Sequence, residues 1–550
     1  VTLAPGESTT SLSRDALEGL APPRRRRRPK VLLGLSLVVV AALALPLAFL
    51  LIEASGAGTS NVWHLIWRTL TATLLWNTVR LTVVVTVLCA IIGTLTAYCV
   101  ERTDLPGRRV WAVLVVIPFA IPDFVVSFGW NSLFTWVAGF RGAVIVMTLA
   151  VYPLVYLPVA ASLRGADPGQ EEIARSLGAT RVSTFFRITL GQARRAILGG
   201  CLLVALVILA EYGAFEILGY QTFTTEIFSE FTVGFNTASA CALSLVLVLF
   251  SIVVMMGESS LRGTGRVSRS GPGVQHVLTR QPLGRAKWPV MLAFSLLVLA
   301  ALGVPVGSSI YWIFEGGAHD LAGESLLAAA LHTAGYSAAA AALSTLMALP
   351  VALLVIRFPS RWHRLLTRTT FLVLAMPGLV VALALAYFSE QHADSFAYQT
   401  APMLVFAYAL MFFPLALVGV RASVAQAPAA LEEVAGSLGV KRHWVLLRVT
   451  LPLIAPGLGA AFCLVFLSCV TELTATLILI PNGVQTLATQ FWAYQQNLSY
   501  GQAAPFALLI IAIAALPAYF LERFFDRRGV RSPDPALPPD RRVLARSVTT

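Results

Sequence analysis

Charge is scarce in this chain. Of 550 residues only 12% are Asp, Glu, Lys or Arg, where a soluble protein carries about a quarter. A soluble globular fold is excluded, because its surface would lack the polar groups needed to stay hydrated. Lysine is nearly missing: Lys30, Lys287 and Lys441 are the whole complement, and none follows a glycine. A phosphate-binding P-loop needs Gly-Lys-Ser/Thr, with the lysine on the β- and γ-phosphates, so the sequence carries no nucleotide-hydrolysing motif. Nor is any polar stretch long enough for a nucleotide-binding domain. Cysteine is sparse too. Cys89, Cys99, Cys201, Cys241, Cys463 and Cys469 all fall in apolar runs without metal-ligand spacing, which argues for small packing residues rather than disulfides or zinc.

What fills the chain instead is apolar sequence, 57% of all residues. Apolar runs of roughly 20 residues recur throughout, the length at which a helix crosses the hydrocarbon core. The expected fold is an all-α polytopic membrane protein. The net charge of +13 is no nucleic-acid footprint. Of 40 Lys and Arg, 37 fall in the termini and in alternate loops, with Arg68, Arg80 and Arg141 the exceptions. That segregation is the positive-inside rule, and it places those loops in the cytoplasm.

In chain order, residues 1–30 read as a disordered basic tail ending in Arg24–Arg28 and Lys30. The apolar stretch Val31–Ile52 exceeds the 7–15 residues of a signal h-region and reads as the first span. Further spans are expected at about Thr73–Val100, Val110–Ser132 (broken by Pro118 and Pro122), Gly142–Leu163, Ala196–Leu218 and Asn236–Met256. Residues 257–288 are rich in Gly, Ser and Arg and mark a cytoplasmic linker. Six more spans follow, at about Pro289–Phe314, Ala328–Ile356, Thr369–Ser389, Ala401–Arg421, Gly457–Ile480 and Gly501–Leu521. A basic tail, 522–550, closes the chain. The expectation is about twelve helices in two parallel halves, 31–256 and 289–521, with both termini cytoplasmic.

One polar stretch occurs twice. Glu171–Leu190, EEIARSLGATRVSTFFRITL, returns as Glu432–Leu451, EEVAGSLGVKRHWVLLRVTL, offset by 261 residues without a gap. Ten of the twenty positions are identical, among them both glutamates, Ser-Leu-Gly and two arginines. Chance matching in an apolar protein would pair Leu with Leu. The halves also share Pro153 with Pro414, Ile121-Pro122 with Met376-Pro377, and Asn77-Thr78 with His332-Thr333. An internal repeat of this length fixes a duplicated architecture. Each copy reads as a short amphipathic helix, a glycine stop and a second helix on the cytoplasmic side.

This pattern resembles the EAA loop of the permease subunits of ABC importers. The first copy carries it on Glu172, Ala174, Gly178, Ala179, Phe185, Ile188 and Leu190, the second on Glu433, Ala435, Gly439, Val449, Leu451 and Pro452. Gly191 stands where the motif has Pro, and Val440 where it has Ala. The resemblance implies the type I (MetI-like) importer fold, with elbows at 165–195 and 423–456. It implies that Glu171, Glu172, Ala174, Gly178, Ala179, Glu432, Glu433, Ala435 and Gly439 couple the chain to two copies of a cytoplasmic ATPase. ATP and Mg belong to that ATPase, and this chain holds no cofactor. An extracytoplasmic binding protein is implied as the donor of solute, and the bacterial cytoplasmic membrane as the location. Membrane lipid is the surrounding partner; nucleic acid is not one.

For the cargo, Glu211-Tyr212-Gly213-Ala214, Thr471–Leu477, Gln485–Thr489 and the ERTDLPGRR turn look similar to the ferric-iron permease family. Thiamine, polyamine and phosphonate permeases are close relatives. Independently of the resemblance, Glu211 and Glu472 are 261 apart and hence equivalent, early in the fifth core helix of each half. Carboxylates within spans are costly and face the bundle interior or water, so this pair is expected to line a central pathway for a cation. The competing reading is that each caps a neighbouring helix. Asp123, Glu216 and His332 are lesser candidates, expected near the external interface. Acidic external loops, with Glu226 and Glu230 among them, follow mostly from positive-inside sorting. A major-facilitator transporter also has twelve helices, but ERTDLPGRR lacks its leading Gly and Asp-Arg, and the repeated elbows have no counterpart there.

Overall fold

A computed structural model describes residues 30–56, 67–166, 169–234, 236–262, 280–316, 323–358, 369–370, 373–392 and 398–529. Most of both tails and the centre of the linker lie outside the described residues. The described ends of the expected linker 257–288 carry local structure. The helix Thr237–Arg262 runs six residues into it, and Gln281 forms a β-bridge with Thr103. The last helix, Tyr500–Gly529, likewise continues past Leu521.

Among the described residues, eight helices are long and apolar enough to cross a membrane, or ten if each of two bent pairs is one span. Two shorter apolar helices, Gly378–Gln391 and Tyr500–Ala515, occupy the places of the remaining spans. The expected twelve are reached only when all three kinds are counted. Long helices dominate because in hydrocarbon each N–H and C=O must be satisfied within its own segment.

The bends fall where proline removes a donor and crowds the preceding turn. Arg108–Ala120 and Asp123–Leu133 meet at 92° across Pro122, whose carbonyl accepts from Val125 N and Val126 N. In the second half Pro377 does the same for Val380 N and Val381 N. The fourth crossing changes helix at Pro153 in the first half, and bends by 57° beside Pro414 in the second. The prolines paired in the sequence thus shape the same crossings.

Two hydrophobic cores result, and each is built from both halves. One joins the body of the first half to Phe294 and Ala301 near the start of the second, and to Ala503, Phe506 and Ile510 near its end. The other joins the body of the second half to Val39, Leu43 and Leu50 of the first helix, and to Leu243 and Leu247 of Thr237–Arg262. The outer helices have therefore crossed over. At one crossing, a Cβ added to Gly129 would stand 2.6 Å from Pro305 Cα and 2.8 Å from Ser308 Oγ. Gly129→Leu should destabilise the protein by about 1–3 kcal/mol through overpacking, read as a lower unfolding temperature in detergent. Gly34→Leu, where a Cβ would meet nothing within 4 Å, should leave it unchanged.

Candidate functional site

Each repeated elbow is a helix–glycine–helix unit. In the first, Gly169–Ser176 stops at Gly178, whose φ of +86° lies in the left-handed region. Gly178 N donates to Arg175 O at 2.9 Å and Ala179 N to Ala174 O at 3.0 Å, the paired bonds of a Schellman stop. In the second, Ala429–Ser437 stops at Gly439 with φ +81°. Gly439 N and Val440 N repeat the same bonds to Gly436 O and Ala435 O. The stop turns each chain into Arg181–Thr184 or Arg442–Val445. A π-helical turn follows, Phe185–Thr189 or Leu446–Thr450, and opens the next long helix.

The elbows display apolar side chains that nothing among the described residues covers. Ile173 is 62% exposed and Leu177 82%; their equivalents Val434 and Leu438 are 56% and 77% exposed. Glu172 and Glu433 share this outer face. Glu171, in contrast, is buried. It accepts from Thr189 Oγ1 at 2.9 Å and lies 3.6 Å from Arg102 Nη2. Glu432 turns the same way, accepting from Arg357 Nε at 3.1 Å and Thr450 Oγ1 at 3.3 Å. The first glutamate of each elbow thus faces inward and the second outward. Sequence reasoning missed Arg102 and Arg357, although each is the last residue of a long helix at the same register.

The carboxylates of the core sit at helix breaks, which corrects their expected place early in a helix. Glu211 follows the end of Leu190–Ala210, and Glu472 lies two residues beyond Leu451–Val470. Each folds over the short helix after it. Glu211 Oε1 accepts from Ala214 N at 2.7 Å, and Glu472 Oε1 from Ala475 N at 3.0 Å. The capping alternative is therefore real, but each contact engages a single carboxylate oxygen. A Cβ on Gly213 would meet Leu473 Cδ2 at 2.7 Å and Phe124 Cβ at 3.1 Å, so the two breaks abut one another and Pro122's turn. Asp123, next to Phe124, thus stands in a turn beside these two breaks rather than apart from them. None of the three is in an ion pair among the described residues.

Beside Glu472 a small cleft is lined by Thr333, Tyr408, Cys469, Thr476 and Thr486, among others. Tyr408 and Thr476 hydrogen-bond one another there. The first half offers no such lining: its equivalents of Tyr408 and Thr476 are Met147 and Phe215, both fully buried. Sequence reading singled out neither Tyr408 nor Thr476; comparing polarity at paired positions would have found them. His332 has a different task. Its Nδ1 faces Gln485 O at 3.0 Å, and Thr333 Oγ1 accepts from Leu487 N at 2.9 Å. Asn77 and Thr78 make the matching contacts to Gln221 O and Phe223 N. These pairs fasten the second long helix of each half to the short helix Phe223–Thr232 or Leu487–Gln496. Glu216 lies in Gly213–Ile217, five residues beyond the capping Glu211. Among the described residues no three His, Cys, Asp or Glu side chains cluster as metal ligands.

A duplicated helical bundle with two projecting elbows and no nucleotide site defines the membrane subunit of an ATP-driven importer, with hydrolysis on separate chains. The chain belongs to the binding-protein-dependent transport system inner membrane component family, which matches residues 89–257 and 342–530. It is 36% identical over 502 residues to the Fe(3+)-transport system permease protein FbpB 2 of Haemophilus influenzae, covering 90% of this chain and 99% of that one. The ferric transport system permease protein FbpB of Actinobacillus pleuropneumoniae is 24% identical, over 76% of this chain and 66% of that one. The sulfate transport system permease protein CysT of Escherichia coli is 27% identical over 42% of this chain and 91% of its own length, so a permease of that size corresponds to about one half here. The protein is thus a fused importer permease of the inner membrane, without an activity or cofactor of its own, working with a binding protein and an ATPase.

Because the Glu472 cap needs only an acceptor oxygen, Glu472→Gln should hold thermal stability within about 0.5 kcal/mol, while Glu472→Ala loses about 1 kcal/mol. Equal losses in a detergent unfolding series would mean that the charge itself, not the cap, supports the fold.

Proposed function

We propose that this permease imports ferric iron, passing it between Asp123, Glu211 and Glu472 by alternating access. The observation that carries the reading is that the breaks bearing Glu211 and Glu472 abut one another and the turn that bears Asp123, where the two halves meet, with none of the three carboxylates in an ion pair among the described residues. Such a group is costly in an apolar bundle and suits a hard, oxygen-seeking cation. The ferric relative that spans nearly the whole chain supports the same cargo. An anion such as a phosphonate would meet repulsion at this place. A polyamine would not, and it is the competitor to exclude.

Transport is driven from the elbows. Two ATPase copies bind, one per elbow, with Ile173, Leu177 and Glu172 on one side and Val434, Leu438 and Glu433 on the other. Closure of the ATPase pair draws the elbows together and opens the pathway outward to the loaded binding protein; hydrolysis returns it inward. Both termini and the linker lie on the ATPase side, as their arginines favour.

Uptake of labelled ferric iron by cells carrying Glu211→Gln/Glu472→Gln should fall by about tenfold or more, the effect of losing a charge-assisted contact or two, with normal membrane insertion. Unchanged uptake, or spermidine competing as well as iron, would sink the cargo assignment. Leu177→Asp/Leu438→Asp should reduce ATPase co-purification by about tenfold or more, since a charge in an apolar interface costs roughly 2 kcal/mol. Gly439→Pro, which cannot adopt φ +81°, should abolish coupling while leaving the permease inserted.

A further inference from the structure

The inward-facing glutamates belong to an assembly that occurs twice. Arg102 ends the long helix Thr69–Arg102, and Arg357 ends Gly323–Arg357. Each reaches the first turn of its elbow, where the glutamate also accepts from a threonine of the π-helical turn. Three segments are thereby pinned at one carboxylate: the end of the second long helix, the elbow, and the entry to the fifth. All six side chains are shielded. Those of Arg102 and Arg357 are 4% and 9% exposed, and those of Glu171 and Glu432 are 9% and 18% exposed. Thr189 and Thr450 are buried.

A shielded ion pair is poor evidence of stabilisation, since apolar groups of similar volume often serve as well. Its specific property is that it holds one geometry and punishes displacement. We propose that Arg102 and Arg357 are positioning residues for energy coupling. Each Arg–Glu–Thr clamp makes an elbow move as one body with the helices that border the pathway. This rests on the reading that the elbows receive the ATPase stroke. The outward Glu172 and Glu433 meet the partner, and the inward Glu171 and Glu432 hand the motion on.

The two clamps differ. Arg357 Nη2 lies 3.0 Å from Glu432 and also donates to Ala427 O at 2.8 Å. Arg102 stands 3.6 Å from Glu171, and its Nε and Nη2 have no hydrogen-bond partner. Its backbone is instead held by the returning linker: Gln281 N donates to Arg102 O, and Gln281 O accepts from Asp104 N. Tyr98 OH donates to Gln281 Oε1, and its ring packs edge-on against Phe185 of the first π-helical turn. The tighter second clamp is the better place for the test.

Reconstituted complexes with the ATPase and the iron-loaded binding protein give ATP hydrolysed per iron imported. Arg357→Met and Glu432→Gln should each raise that ratio by about tenfold, within the 5- to 150-fold span of typical coupling effects. Arg357→Lys, which keeps the charge but not the two-sided reach, should fall between them and the wild type. The swapped pair Arg357→Glu/Glu432→Arg should recover part of the loss. A merely structural role would lower hydrolysis and uptake together and leave the ratio unchanged. A wild-type ratio in the single variants, or a swapped pair no better than either single change, overturns the proposal. Should Arg357→Met fail to assemble, the Lys variant and the swapped pair still decide. If loaded binding protein does not stimulate hydrolysis even in the wild type, it is the ATPase-coupling reading that fails.

Discussion

A helix broken inside a membrane leaves C=O groups at its end, and N–H groups at the start of the next helix, that no water can reach. Everything functional in this bundle depends on how that constraint is met at its breaks. Pro122 and Pro377 start helices without needing a donor, and their carbonyls accept from the turn above. Glu211 and Glu472 supply an acceptor from a side chain, and Thr222 and Thr486 cap the helices after them through paired threonine contacts. The cap does two things at once. It permits the break, and it holds a carboxylate at a fixed place between the halves. A continuous helix would have carried the same glutamate on its surface with its direction set only by packing.

Crossing of the outer helices explains why one polypeptide is a sound arrangement. Each core takes helices from both halves, so neither half buries its apolar faces alone. Fusion makes the two concentrations equal and fixes the pairing, since the second half is held at a high effective concentration by the linker. The linker is more than a tether at its return. Its pairing with Thr103 and Asp104 ties the start of the second half to the first elbow's base.

The elbows were legible in the sequence because their determinants are local. A glycine at φ > 0, an alanine whose carbonyl takes the stop, and outward apolar side chains leave a short, polar signature among apolar runs. The helix breaks at Glu211 and Glu472 were not legible, because apolar sequence resumes on both sides of each and only the cap reveals where the helix ends. Arg102 and Arg357 escaped for another reason. They are offset by 255 residues, whereas the elbows are offset by 261, because the second half is longer between Pro377 and Pro414 than the first is between Pro122 and Pro153. The offset of 255 already pairs Asn77-Thr78 with His332-Thr333 and Pro122 with Pro377, so the alignment alone did not hide them. Positive-inside sorting had already accounted for their charge, so no anomaly remained to draw notice.

The halves share a scaffold but not a lining. Gly378 follows Pro377 where Asp123 follows Pro122, and Met147 and Phe215 stand opposite Tyr408 and Thr476. On the function proposed above, a cation passing between the breaks would meet an extra carboxylate on one side, and hydroxyls with a cleft on the other. In a permease made of two identical subunits every wall residue is present twice, and the pathway is symmetric by construction. Fusion removes that requirement. Caps, elbows and clamps, which must work on both sides, have kept their paired residues, whereas the lining is free to specialise. On the proposed reading, the division between what is doubled and what is single separates the parts that transmit force from the parts that select the cargo.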